Sequence, residues 1–284
     1  INELRPPTNA SVPFGIAAGP EGNLWFTESA ANKIGRVTPF GVFTEYASDI
    51  TGSPGAITAG PDGAMWFVET AANRIGRITT SGLITVTEFV IPTAGSAPFW
   101  IALGPDGNLW FTESAGNKIG RITPAGVITE FPLPAAGSGP RGITAGLDGA
   151  MWFTEQSGNR IGRITMSGVI SEFTVPSPGA SPAGIAAGPD GALWFVHGAG
   201  DKIGRVTLNG VFSEFRIPTT GGGAQFITAG ADGALWFTQT AGNKVGRVST
   251  GGVFTEYDLP VAGSLPGPIT LGPDKQLWFT EAAI

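Results

Sequence analysis

Cysteine is absent from the 284 residues, so no disulfide and no thiolate nucleophile or thiolate metal ligand can enter the chemistry of this chain. Histidine occurs once and charged residues make up only 13% of the sequence, with no block of like charge. A net charge of −6 excludes a groove of clustered Lys and Arg for nucleic acid, which binds by neutralising phosphates and releasing counterions. Long apolar runs are also missing: none exceeds the length of a strand, so no membrane partner is expected. The chain opens at Ile1 with no signal-peptide apolar core, and is read as a processed or excised chain, secreted or cytoplasmic. What the sequence has in quantity is turn formers, 45 Gly and 23 Pro.

Seven tryptophans, Trp25, Trp66, Trp110, Trp152, Trp194, Trp236 and Trp278, recur at intervals of 41, 44, 42, 42, 42 and 42 residues inside a phrase of the type Gly-Pro-Asp-Gly-x-Leu-Trp-Phe-Thr-Glu. A period of about 40–45 residues made of short strands is the signature of a propeller blade. The repeat from Pro98 to Gly139 shows the build: an apolar run Phe99 to Leu103, a Gly104-Pro105-Asp106-Gly107 turn, a strand Asn108 to Thr112, a third at Asn117 to Thr123 and a fourth at Val127 to Phe131. The expectation is an all-β, single-domain, seven-bladed β-propeller over residues 1–284. Its four-stranded antiparallel blades start near 13, 54, 98, 140, 182, 224 and 266.

The ends carry a further expectation. Ile1 to Pro7 aligns without a gap to Ile128 to Pro134, so residues 1–7 read as the outer strand of the seventh blade, closing the ring. No counterpart of Asn117 to Val127 follows Glu281, so that blade is expected to lack its third strand, or to belong to a longer parent protein.

Most repeated residues read as scaffold. The turn aspartates Asp62, Asp106 and Asp190 supply one carboxylate each, far short of the six to eight oxygens of a calcium site. Arg121 and Glu130, with equivalents from Arg36 and Glu45 to Arg247 and Glu256, read as cross-strand ion pairs. Site evidence lies where the repeats disagree. The inner strands begin with Phe14, Gly55, Phe99, Arg141, Ala183, Gln225 and Gly267, and the second strands end with Glu28, Glu69, Glu113, Glu155, His197, Gln239 and Glu281. If both rings face one mouth, Phe14, Phe99, Trp100, Arg141, Gln225, Phe226 and Gln239 are ligand-binding candidates. His197, which replaces a repeat carboxylate, and Glu281 are catalytic candidates, and Glu155 with Glu281 could hold a metal.

The phrases Gly-Ile-x-x-Gly-Pro-Asp-Gly-x-Leu-Trp-Phe-Thr-Glu, Asn-Lys-Ile-Gly-Arg-Ile-Thr and Gly-x-Ile-Thr-Glu-Phe-x-Leu-Pro resemble the virginiamycin B lyase, or streptogramin lyase, family over the whole chain. The resemblance implies a magnesium-dependent elimination that linearises type B streptogramins. It also implies catalytic histidines after the prolines that open the late blades, an acidic residue before one such proline and another after the last Trp-Phe. Those positions hold Gln225, Gly267 and Leu265, and only Glu281 keeps the implied residue type. Elimination needs a base at the proton it removes, and neither Gln nor Gly supplies one. Three readings follow. The leading one is a propeller without the catalytic histidines, monomeric, binding a small molecule, glycan or peptide at its central mouth, with no cofactor required. The second is an active magnesium-dependent lyase using His197, and the third is a scaffold with no small ligand.

Overall fold

The computed structural model describes residues 1–46 and 50–283. Six sheets have four antiparallel strands in sequence order, the third blade for example running Pro98–Leu103, Leu109–Glu113, Lys118–Ile122 and Ile128–Pro132. The first strand of each sheet packs against the first strand of the next, and Pro266–Leu271 packs against Pro13–Ala18, so the inner strands form a closed ring. No helix among the described residues is long and apolar enough to cross a membrane.

The expectation of seven four-stranded blades is corrected. Among the described residues the seventh sheet has two strands, Pro266–Leu271 and Leu277–Glu281, and residues 1–12 form no strand. An outer strand needs a neighbour with which to exchange N–H and C=O groups, and no described segment after Glu281 provides a third strand for residues 1–7.

The repeat phrase has a physical role at each position. Trp110 is fully buried, stacks on Phe131 of its own fourth strand at 5.5 Å, and donates its indole N–H to Asp106 Oδ1 at 3.0 Å. The turn aspartate therefore does more than form a turn. In four blades its second oxygen accepts from the third-strand arginine, as Arg77 Nε on Asp62 Oδ2 at 2.6 Å and Arg205 Nε on Asp190 Oδ2 at 2.6 Å. This corrects the expected Arg–Glu pairs. Gly120, not Arg121, lies opposite Glu130, and successive residues of a strand face opposite sides of the sheet. Glu130 pairs instead with Lys118, at 3.2 Å.

The threonine of Trp-Phe-Thr-Glu clasps neighbouring blades. Thr154 Oγ1 accepts from Gly142 N–H at 2.9 Å and donates to Ala183 O of the next blade at 2.7 Å. Thr280 Oγ1 likewise donates to Phe14 O at 2.8 Å, joining the last sheet to the first. The third-strand glycine is forced by packing: a methyl group on Gly120 would overlap the ring of Phe111, which is fully buried.

Candidate functional site

Each inner strand carries a register shift after its opening residue. In the third blade Ile101 faces Phe111 and Pro98 faces Glu113, so one extra residue sits between them on the inner strand. The bulge helps set the directions of the residues that follow Pro98, and it separates the two rings that the sequence places at one mouth.

The aromatic residues of the first ring meet one another across the molecule. Phe14 of the first blade lies edge-on to Phe226 of the sixth, with centroids 5.8 Å apart, and to Phe99 of the third at 6.2 Å. Trp100 stacks on Phe226 at 5.6 Å. Side chains from blades that are not neighbours in the ring thus close over its centre as one aromatic floor, in which Phe226 is buried and the others half-buried. Arg141, from the fourth blade, places its guanidinium 4.9 Å from the Phe99 ring centre. Burial pulls its pKa down, and among the described residues it makes no ion pair and its guanidinium donates no hydrogen bond. Gln225 is half-buried beside Gly198.

The second ring turns away from that floor, toward the outer strand and entry loop of its own blade. Glu113 is fully buried, with both oxygens lacking a hydrogen-bond donor. Burial, and then the charge of Glu130, pushes its pKa up to about 8. Glu69 is raised to about 7 by burial and then by Glu88. Glu28, Glu155 and Glu281 are raised too, by burial first, with Glu45, Glu172 and Glu3 adding to it. A proton on the Glu113 or Glu69 carboxyl removes its repulsion with Glu130 or Glu88.

His197 and Gln239 belong to this outer arrangement. Gln239 Nε2 donates to Glu256 Oε1 at 2.8 Å, so the amide removes the clash of two carboxylates. His197 is 2% exposed, stacks on Phe195 at 5.3 Å, and has Nε2 3.7 Å from Glu214 Oε1. Burial takes its pKa down to about 4 against the opposing pull of Glu214, so the imidazole is neutral near pH 7. Glu155 and Glu281 stand on different blades, Glu155 beside Arg160 at 3.6 Å and Glu281 in the cleft lined by Glu3. The described residues hold no group of three or more His, Asp or Glu side chains able to hold a metal ion, and Glu155 and Glu281, on the fourth and seventh sheets, do not form a shared metal site.

The sequence did not reveal the aromatic floor as a contact between non-neighbouring blades. Its only signal was large aromatic residues at positions that vary between repeats.

A ring of antiparallel sheets, with variable residues gathered at its centre, defines a β-propeller with an axial mouth. The signature of the Virginiamycin B lyase family matches residues 1–137 and 199–284, and the chain belongs to that family. Among solved structures it is similar to selenomethionine-substituted virginiamycin B lyase from Staphylococcus aureus, at 43% identity and a TM-score of 0.94 over 99% of this chain and 96% of that one. A streptogramin B lyase structure matches at 38% identity and a TM-score of 0.95, over 99% and 94%. A catalytically inactive histidine-to-alanine variant of the S. aureus enzyme, solved with quinupristin, matches at 43% and 0.93, over 99% and 96%.

Proposed function

We propose that this propeller is a binding member of the virginiamycin B lyase family, taking a small molecule with an apolar ring and an anionic group at the axial mouth. The observation that carries the reading is Arg141. A half-buried guanidinium that makes no ion pair or hydrogen bond among the described residues stands over Phe99 at the edge of an aromatic floor, an arrangement that favours stacking below and a bidentate anion beside it. Gln225, second residue of its inner strand as Arg141 is of its own, offers a polar handle. The positions that the family resemblance assigns to catalytic histidines hold Gln225 and Gly267, and His197 is buried against Glu214. The chemistry of a base is therefore missing from the mouth.

Identity of 43% to a virginiamycin B lyase supports a second reading, an active lyase with an altered site. Both are tested by incubating quinupristin with the protein and magnesium and following its mass. Intact antibiotic is expected. A linearised product that disappears in His197→Ala would establish the lyase and end the binding reading. Binding itself is checked by calorimetric titration with a panel of aromatic carboxylates: Arg141→Ala is expected to weaken the best ligand by about tenfold or more, the worth of one charged hydrogen bond. An unchanged affinity would remove Arg141 from the site.

A further inference from the structure

The fifth blade departs from the repeat where its second strand turns into its third, and the departures fall together. In the other four-stranded blades the last residue of the second strand faces the first of the third, as Glu113 faces Lys118 and Gln239 faces Lys244. The fifth blade lacks this rung: its ladder ends at Val196 and Ile203, and Lys202 N–H turns to Gly200 O at 2.6 Å. Gly116, Gly158 and Gly242 donate to the entry loop, at the carbonyls of Ser96, Ser138 and Gly222, whereas Gly200 N–H bonds back to His197 O at 3.3 Å. The next residue is an asparagine with a φ of 53–57° in the five other blades, and is Asp201 here, which does not share that conformation. An open pocket of about 530 Å³ lies between this turn and the entry loop at Ser177 to Ala180.

The side chains around the pocket also differ from those of the other blades. Lys202 and Arg216 stand directly opposite each other on neighbouring strands, two cations where the sixth blade pairs Lys244 with Asp258 at 2.7 Å. Like charges so placed repel unless an anion joins them. The nearby carboxylates are already engaged. Glu214 accepts from Lys202 at 2.8 Å and from Ser177 Oγ at 2.6 Å, and Asp201 Oδ1 accepts from Gly221 N–H at 2.9 Å. Arg216 is exposed, and among the described residues its guanidinium has neither an ion pair nor a hydrogen bond. His197 forms the inner wall, 2% exposed, with Nε2 lacking a hydrogen-bond partner and 3.7 Å from Glu214 Oε1. A buried polar nitrogen left without a partner marks a place where one belongs.

We propose that this pocket is a second binding site, apart from the axial mouth, that takes a small oxyanion, a carboxylate or phosphate group. Arg216 grips it through its planar fork, Lys202 adds a second positive charge, and the His197 imidazole gives it a hydrogen bond from the dry side. A metal cation is the poorer occupant, because Glu214 and Asp201 already accept from protein donors and two cations flank the opening.

His197 is the sole histidine, so its imidazole proton resonances report on this pocket and not on the mouth. The test follows their pH titration by NMR at constant ionic strength, with inorganic phosphate or malonate added separately. Burial holds the imidazole near 4 in the free protein. A bound anion favours the charged ring, so the midpoint is expected to rise by about 1 in pH. A rise with phosphate alone identifies a phosphate group as the ligand, and a rise with malonate alone a carboxylate. Arg216→Ala, a change at an exposed position, is expected to weaken the effective anion about tenfold. No rise with either anion at high millimolar concentration overturns the proposal, as does an undiminished rise in Arg216→Ala. A response of the imidazole to zinc and to neither anion overturns it as well.

Discussion

Trp110→Ala is expected to cost about 3–5 kcal/mol of folding free energy, whereas the same truncation at Trp278 costs about 1–2 kcal/mol. The two residues occupy the same place in the repeat and differ only in what covers them. Trp110 is fully buried, stacks on Phe131, holds Asp106 through its indole N–H and carries the Arg121 guanidinium 5.5 Å from its ring centre. Its removal leaves a cavity, takes from Asp106 one donor beside those of Asn108, and takes from Arg121 one of its two aromatic faces, that of Phe131 remaining. Trp278 is half-exposed and bonds only to Asp274, so water already meets much of what its removal would uncover. Denaturant unfolding of both variants checks this. Equal losses would mean that blade packing does not depend on the third and fourth strands.

Stability is expected to fall as pH rises from about 5 to about 8, and Glu113→Gln to abolish a large part of that fall. Glu113 titrates near 8 and Glu69 near 7 in the folded protein, against about 4.5 in the unfolded chain. Across that window the folded state holds more protons, so the free energy of unfolding decreases with rising pH. At 1.4 kcal/mol per unit of pKa difference the upper bound on the loss at these two sites is roughly 8 kcal/mol. His197 acts in the opposite sense. Its folded pKa near 4 lies below the unfolded value near 6.5, so stability is lost as pH falls through that range. The turn aspartates add to the acid limb: burial raises Asp190, but hydrogen bonds from Trp194 and Arg205 outweigh it and hold the pKa below the usual value. Between about pH 5 and 6.5 the two glutamates outweigh the one histidine, so the maximum lies near pH 5. Glu113→Gln is expected to raise the melting temperature at pH 8 and leave it nearly unchanged at pH 5. A parallel pH profile in the variant would show that Glu113 is ionised throughout.

Individual residues show where reading the chain worked and where it stopped. The turn at Gly104 to Gly107 and the packing tryptophans were legible because turn and strand preferences are local, and one phrase repeated along the chain reports the same local chemistry each time. The expected Arg121–Glu130 pair failed because a hairpin read by spacing alone leaves the facing residue uncertain by one position, and one position moves a side chain to the other face. The seven glutamate-ring positions failed as a mouth for a related reason. The extra residue after each strand's opening residue, visible only in the ladder, accompanies a second ring turned toward the outer strands. Glu3 was legible as a fourth-strand residue by alignment to Glu130, and it makes the equivalent contact, but no strand forms around it.

By itself the sequence determined the period, the all-β class, the inner strands of the ring and the residues that vary between repeats, because these follow from turn chemistry and hydrophobic alternation within some forty residues. Only the tertiary structure decided that Phe14, Phe99 and Phe226 meet at the centre while His197 and the glutamates turn outward, and that residues 1–7 form no strand. Those outcomes depend on ring closure and strand register, which bring together side chains as far apart in the chain as Phe14 and Phe226 and which no local preference encodes.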